Sequence, residues 1–455
     1  MKLLCISNGH GEDVIALRIL SALQKYRPTI QISALPITGT GSAYSAKGIP
    51  IISRSKALPS GGFLNRDIRQ LGRDLRKGLL PLTQQQLRAI KAWTTEADNQ
   101  PEKNKCVLAV GDIVPLLFAR LSQLPYHFVG TAKSEYWLRD ERGKLPPTSL
   151  ARRLEGWSGS VYLPWERWLM SGDRCRSIFV RDALTAQQLQ KIGIPATYAG
   201  NPMMDNLAPT GQLDPLLGHI HKRSQTETSP ALASQTDLSE KAIALYVTPK
   251  QQTAQPLSIA LIPGSRQPEA YENWTRILTT LPSLARSFPN RPLILLGAIA
   301  PSLSLEKLQA PLATDWKPTQ ISDQISTQYP TYTHQNITLV LINNAYSDCL
   351  HEAEIAIATA GTATEQFVGL GKPAITLPGP GPQFTSAFAT VQAKMLGPSI
   401  QMLKDSSQTG ETIKKIIADP DRLQLIYQNG THRMGQPGAA DRIAKQLLES
   451  MNEKQ

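Results

Sequence analysis

The chain has 455 residues, and 48 Lys and Arg against 36 Asp and Glu leave a formal net charge of +12. A hydrophobic content of 41% excludes wholesale disorder, and the length predicts two or three domains, two large ones included. The basic balance predicts an anionic partner, whether nucleic acid, a phosphorylated ligand or an anionic bilayer surface.

The opening residues 1–6 are apolar and give way to Ser7 and Asn8. This run is too short for a secretory signal and predicts a buried first strand; no stretch approaches the about 20 apolar residues of a membrane span. Short β-type runs then alternate with helix-length segments, the signature of parallel α/β units. Strands are predicted at 2–6, 30–35, 106–110, 126–130, 177–180 and 196–199, with helices between them at 12–26 and 113–123. A second series starts at 257–262 and continues at 293–296, 337–342, 355–359 and 374–377. Two series predict two Rossmann-like lobes, over 1–206 and 257–438. Residues 207–256 are predicted as a linker or mobile insertion, because the stretch 225–240 is rich in Ser, Thr and Gln. Residues 300–336 are predicted as a long loop, and 439–455 as a C-terminal helix with Ile443, Leu447 and Leu448 at helical spacing. Cys5, Cys106, Cys175 and Cys349 lie far apart without a C-x-x-C pair. That excludes a zinc framework or disulfide scaffold and predicts a reducing, cytoplasmic setting.

Candidate chemistry gathers at strand-to-helix turns. Ser7-Asn8-Gly9-His10-Gly11-Glu12-Asp13 follows the first strand. Gly9 and Gly11 let the backbone approach a ligand, and the helix start offers unpaired N–H groups. The alternative is the tight turn of any α/β lobe, with Glu12 and Asp13 complementing the helix dipole. The turn is not G-x-G-x-x-G, so no dinucleotide fingerprint is present. His10 is a candidate acid/base group, or else a hydrogen-bonded turn residue. Asp112 follows the strand 106–110, where a general base belongs; its alternative is to cap the helix over 113–123.

In the second series, Ile262-Pro263-Gly264-Ser265-Arg266 also follows a strand. Ser265 and backbone N–H groups suit a phosphate that Arg266 neutralises, unless Arg266 merely pairs with a surface carboxylate. Ala360-Gly361-Thr362-Ala363-Thr364-Glu365-Gln366 follows the strand 355–359 and opens a helix. Its small residues suit a diphosphate, and Glu365 or Gln366 suits ribose hydroxyls. Two anion-type turns at carboxyl ends of strands in one sheet are more specific than either alone.

Residues 63–77 project as an amphipathic helix, with Leu64, Ile68, Leu71 and Leu75 opposite Arg66, Arg69, Arg73, Arg76 and Lys77. Such a helix fits an anionic membrane or lipid acceptor, or else packs on its own core with a solvated basic face. No metal is expected: Asp419-Pro420-Asp421 is predicted as a helix-ending turn, and His219 and His221 have no ligand cluster around them. No basic platform interleaved with aromatics is visible, so nucleic acid is not an expected partner.

Together these motifs resemble the lipid-A-disaccharide synthase family and, more loosely, other inverting UDP-sugar transferases of the GT-B type. The resemblance rests on residues 262–266, Ala360-Gly361-Thr362-Ala363-Thr364, Gly371-Lys372-Pro373 and residues 198–205. Gly200-Asn201-Pro202 stands where the family has Gly-His-Pro, and Gln366 stands where it has Glu. The resemblance implies an α/β, GT-B-like fold of two facing Rossmann-like lobes with parallel sheets and an interlobe cleft, the 439–455 helix packing back toward the first lobe. It implies inverting, metal-independent transfer of a sugar, of the N-acetylglucosamine type, from a UDP-sugar co-substrate to a lipid or glycolipid acceptor. It implies peripheral contact with the cytoplasmic face of the inner or plasma membrane. Donor binding then falls to Gly264, Ser265, Arg266, Gly361, Thr362, Ala363, Thr364, Glu365 and Gln366. The acceptor side falls to Gly9, Gly11, Glu12 and Asn201, and the base to Asp112 with His10 as rival. The alternatives are a UDP-sugar 2-epimerase and a non-catalytic, membrane-associated UDP-sugar-binding protein.

Overall fold

The structure is a computed structural model that describes residues 1–9, 11–53, 79–96, 105–146, 156–225, 255–312, 315–320, 328–379 and 384–452. His10, the predicted helix at 63–77 with Leu64, Arg66, Arg69, Arg73, Arg76 and Lys77, and residues 226–254 lie outside the described residues. The chain divides into two compact units, one of Met1–Asp205 with Met434–Gln455, the other of Asn206–Arg433.

In the first unit the apolar runs become strands β1 (Lys2–Ser7), β2 (Gln31–Pro36), β3 (Lys105–Gly111) and β4 (Tyr126–Gly130). A short hairpin, β5 (Arg139–Asp140) and β6 (Gly143–Lys144), stands apart, and β7 (Cys175–Val180) and β8 (Ala196–Thr197) complete the sheet. Every residue of β3 and β4 is buried, as expected of parallel strands covered on both faces. The order is β2-β1-β3-β4-β7-β8 with all neighbours parallel. The chain thus winds one way from β1 to β2 and the other way from β3 onward. Its reversal lies between β1 and β3, where Ser7 pairs with Val110.

The second unit repeats the plan with β9 (Leu257–Ile262), β10 (Leu293–Ala298), β11 (Lys317–Pro318), β12 (Thr331–His334), β13 (Ile337–Ile342), β14 (Ile355–Ala358), β15 (Ala374–Thr376) and β16 (Ile400–Met402). Their order is β11-β12-β13-β10-β9-β14-β15-β16, so this sheet reverses between β9 and β14. Trp274 anchors the core at 1% exposure; its indole N–H donates to the Leu308 carbonyl at 2.9 Å, which satisfies the one polar atom it buries.

Three predicted elements differ from the structure. The predicted loop 300–336 contains β11 and β12, which add to the edge of the sheet antiparallel, β12 pairing with β13 from Thr331 to Val340. The intervening turn is only Gln335 and Asn336, with Gln335 at φ 52, a tight turn inside a polar stretch that masks the strand signal. The predicted linker 207–256 begins as structure of the second unit. Leu213 and Leu216 are buried there, and Asp348 accepts hydrogen bonds from Thr210 N, Thr210 Oγ1 and Gln212 N. The 257–438 lobe gives up residues 434–438 to the first unit. The C-terminal helix, Ala439–Asn452, lies against the helix Gly11–Tyr26, with Ile443, Ala444 and Leu447 buried and Tyr26 OH donating to Asp441 Oδ1 at 2.9 Å.

Candidate functional site

In open α/β sheets, ligands bind beyond the carboxyl ends of the strands where strand order reverses. Both sheets carry their predicted turns at that place. In the first, β1 ends into Asn8 and Gly9, and β3 ends into Gly111 and Asp112. Gly9 holds φ 123 and packs so closely that a Cβ would stand 2.4 Å from the Thr38 carbonyl oxygen. Only glycine fits such a turn. Gly11 opens the following helix, and Glu12 N donates back to the Gly9 carbonyl at 3.2 Å.

The acids of this turn point inward rather than to solvent. Glu12 is 7% exposed and accepts from Thr131 Oγ1 at 3.3 Å; Asp13 is 3% exposed and accepts from Ser7 Oγ at 2.6 Å. Asp112 caps the helix Ile113–Leu121, its Oδ1 accepting from Val114 N at 2.9 Å. The same oxygen accepts from Asn8 Nδ2 at 2.9 Å, so cap and candidate base are one carboxylate.

Farther along this edge lies a cluster of which the sequence reading named only Asn201 as a site residue. Asp182 caps the helix Ala183–Lys191 with Oδ1, accepting from Thr185 N at 2.8 Å and Thr185 Oγ1 at 2.7 Å. Its Oδ2 is buried without a hydrogen-bond partner, as are Tyr162 OH, Tyr198 OH and Asn201 Nδ2. Burial, then the Asp182 charge, pushes the Tyr198 phenol up to about 12. Burial, with Glu166 and Asp182, pushes Tyr162 up as well, so both phenols stay protonated. Asn201 fills its other end by capping the turn Pro202–Met204 through Met203 N at 3.0 Å. Unsatisfied buried polar atoms are uncommon in native folds and mark places where water or a ligand completes the bonding. No single local pattern announces this cluster, since its members come from three separate segments, at 162, at 182 and at 198–201.

In the second unit the two predicted turns meet. β9 and β14 are neighbours with Ile262 opposite Ala358, and a Cβ on Gly264 would stand 3.6 Å from the Thr359 carbonyl oxygen. Gly264 holds φ 93, which turns the chain back over this contact. Asn273, 4% exposed, fastens both turns: its Nδ2 donates to the Pro263 carbonyl at 3.1 Å and the Thr359 carbonyl at 3.2 Å. Gln392 braces the second, donating to the Ala360 and Gly361 carbonyls at 3.2 and 3.0 Å. Neither brace is adjacent in sequence to what it holds. Gly361 is the N-cap of the helix Thr362–Gly369, whose first N–H groups lack intrahelical partners. Phe388 covers one side of it, 3.4 Å from where a Gly361 Cβ would be.

The predicted donor residues divide by exposure. Ser265 and Thr362 are exposed, and Gly264, Arg266, Gly361 and Ala363 are half-buried at the rim of the turns. Thr364, Glu365 and Gln366 are buried. The Thr364 hydroxyl donates to the Ala360 carbonyl at 2.6 Å, and Gln366 Oε1 accepts from Tyr346 OH at 2.8 Å. Helical spacing thus turns the second half of the segment, Thr364 to Gln366, toward the core. Lys372 is likewise structural, its ammonium donating to the Leu350, His351 and Ala353 carbonyls at the end of the helix Tyr346–Glu352. Among the described residues there is no group of three His, Cys, Asp or Glu placed to hold a metal ion, and no helix is long and apolar enough to cross a membrane.

No family profile matches the chain. Lipid-A-disaccharide synthase from Syntrophus aciditrophicus (strain SB) is 25% identical over 280 residues, covering 57% of this chain. The chain spans 58% of the length of that relative. Among solved structures, the calicheamicin glycosyltransferase CalG4 superposes with a TM-score of 0.54 at 12% identity, covering 100% of this chain and 98% of its own. MurG from Acinetobacter baumannii superposes with a TM-score of 0.51 at 14% identity, covering 98% of this chain and 99% of its own. The chain thus carries the GT-B fold and is similar, over part of its length, to lipid-A-disaccharide synthase.

Proposed function

We propose that the chain is a glycosyltransferase-type enzyme that moves a sugar, of the N-acetylglucosamine type, from a UDP-sugar to a lipid or glycolipid hydroxyl with inversion. The observation that carries this reading is the meeting of the Gly264 turn with Thr359–Gly361 at the reversal of the second sheet. A diphosphate laid across that meeting encounters a helix N-terminus, two glycines without side chains in the way, and the Arg266 guanidinium. Similarity to a lipid-A-disaccharide synthase supports the choice of sugar and acceptor class.

In this reading the acceptor hydroxyl attacks the anomeric carbon, the bond from that carbon to the diphosphate oxygen breaks, and the hydroxyl proton passes to Asp112, with His10 as the rival base. Arg266 and the amides after Gly361 neutralise the departing diphosphate, so the reaction is read as metal-independent. Buried Tyr162, Asp182 and Asn201, together with Gly9, Gly11 and Glu12 of the chain's first turn, are read as the acceptor side. Their hydroxyl, carboxylate and amide groups suit sugar hydroxyls.

The test is calorimetric titration with UDP and UDP-N-acetylglucosamine in the presence of a chelator, followed by transfer of labelled sugar into lipid extracts. Arg266→Ala should bind UDP at least about tenfold more weakly and turn over about 10²–10³-fold more slowly, with an unchanged melting temperature. Failure of the wild-type chain to bind UDP, or equal binding by the variant, rejects the reading. Conversion of UDP-N-acetylglucosamine without any lipid would identify a 2-epimerase instead, and binding without turnover a non-catalytic sugar-nucleotide binder.

A further inference from the structure

Phe388 stands at the edge of the proposed donor site with its ring open to solvent, 36% exposed. It belongs to the first turn of the helix Ser386–Leu396, where its N–H donates to Thr385 Oγ1 at 3.2 Å. Gln392 lies one turn farther on, at i, i+4, so both side chains share the helix face turned to Ala360 and Gly361. Gln392 is fully buried and donates to those two carbonyls. The Phe388 ring passes beside them, its Cζ 3.4 Å from where a Gly361 Cβ would be.

The ring is held from the Arg266 side as well. Phe384, 4% exposed, packs on it with ring centroids 5.5 Å apart and planes at 57°. The Phe384 N–H donates to Glu269 Oε1 at 2.7 Å, and Glu269 is itself buried close after Arg266 in the chain. A single exposed apolar side chain is ordinary on a protein surface. This one is fixed from two sides next to the first N–H groups of the helix Thr362–Gly369, a preorganised wall beside the place read as the diphosphate position.

The covalent structure of a UDP-sugar decides which of its rings meets such a wall. The pyranose is bonded directly to a phosphate oxygen. On the other side the ribose is set off from its phosphate by a methylene, and uracil by the whole ribose. The ring that lies against a phosphate is therefore the transferred sugar. A pyranose presents a face of C–H groups, and a phenyl ring buries such a face without needing a polar partner of its own.

We propose that Phe388 packs against the apolar ring face of the donor's sugar and is a specificity-determining residue of the donor site. The assignment rests on the UDP-sugar reading and adds which part of the donor this side chain meets.

The test is calorimetric titration of UDP and of UDP-N-acetylglucosamine into the wild-type chain and into Phe388→Ala, Phe388→Leu and Phe388→Tyr. Phe388→Ala should bind UDP-N-acetylglucosamine about tenfold more weakly, yet keep the wild-type affinity for UDP and the wild-type melting temperature. Phe388→Tyr should restore binding of the sugar nucleotide, and Phe388→Leu, which keeps the bulk without the ring, should fall between. An equal loss of UDP binding by Phe388→Ala overturns the proposal, because the side chain would then serve the nucleoside or the shape of the Gly361 turn. Undiminished binding of UDP-N-acetylglucosamine by Phe388→Ala overturns it too, as does a Phe388→Tyr variant as weak as Phe388→Ala, or a wild-type chain that binds UDP but not UDP-N-acetylglucosamine. All of these outcomes leave the diphosphate position standing; failure of the wild type to bind UDP rejects that position and this proposal with it.

Discussion

Asn8 and Asp112 hold each other in a closed ring: Asn8 Nδ2 donates to Asp112 Oδ1 at 2.9 Å, and Asp112 N donates to Asn8 Oδ1 at 2.8 Å. The ring ties the end of β1 to the end of β3 where the first sheet reverses. It also fixes the orientation of the one carboxylate that both caps a helix and stands as the candidate base.

Asp112→Asn separates those two roles. Asparagine caps a helix about as well as aspartate but takes no proton. Turnover should fall about 10²–10⁴-fold while the urea midpoint stays near wild type. Asp112→Ala should add a stability loss of about 1 kcal/mol from the missing cap. Wild-type turnover in the asparagine variant would leave Asp112 a cap and nothing more.

Gly111→Ala should break the same ring from the backbone side. Gly111 sits at φ 138, and an added Cβ would stand 1.7 Å from Asn8 Oδ1. Strain of this type costs about 1–3 kcal/mol before the lost hydrogen bonds are counted. Gly48→Ala is the control, since Gly48 also has a positive φ, 68, but nothing within 4 Å. Chemical denaturation should place the Gly111 variant well below the Gly48 variant; equal midpoints would contradict the close packing.

Asp205 secures the C-terminal helix to the first unit. Its carboxylate accepts from Gly438 N, from Ala439 N at 3.1 Å and from Ala440 N at 2.7 Å. Hydrogen bonds to a charged group contribute about 1.5–3 kcal/mol each, though bonds sharing one carboxylate do not add fully. Asp205→Ala should therefore cost about 3 kcal/mol, and hydrogen exchange should accelerate at residues 438–452. Unchanged exchange there would show that apolar packing alone holds the helix.

His127 should give the fold an acid-side weakness. Burial, with a smaller push from Arg176, lowers its ring from 6.5 to about 4. The folded chain keeps it neutral while the unfolded chain protonates it near 6.5, so unfolding takes up a proton between those values. Its contribution is complete above pH 6.5 and is lost as the pH falls toward 4, about 3 kcal/mol in all. Denaturation curves at successive pH values should show this slope, and His127→Gln should flatten it. Asp348 adds a second acid-side loss at still lower pH. Burial acts to raise its carboxyl, but the hydrogen bonds from Thr210, Gln212 and Gly211 outweigh it and hold the group below 3.8. Its stabilisation is present above that value and disappears as the pH falls through the lowered one.

Much of this organisation was legible locally. The strands before Asn8, Gly111, Pro263 and Thr359 announce themselves as short apolar runs, and Gly9, Gly264 and Gly361 mark the turns that follow. The strand Thr331–His334 was not legible, because it lies in a polar stretch and its stability comes from pairing with β11 on one side and β13 on the other. The inward turn of Thr364 and Gln366 was hidden for a related reason: residue type alone does not say which face of the helix Thr362–Gly369 meets the core.

Composition, apolar periodicity and turn chemistry by themselves determined that two α/β series exist and where their strands give way to helices, because those properties depend on a few neighbouring residues. Only the tertiary structure decided which strands lie side by side, and therefore that Gly264 meets Thr359 and that Asn8 meets Asp112. Asn8 and Asp112 are 104 residues apart in the chain, and Gly264 and Thr359 nearly as distant. Contacts of such separation arise from the winding of whole sheets, which no local pattern encodes.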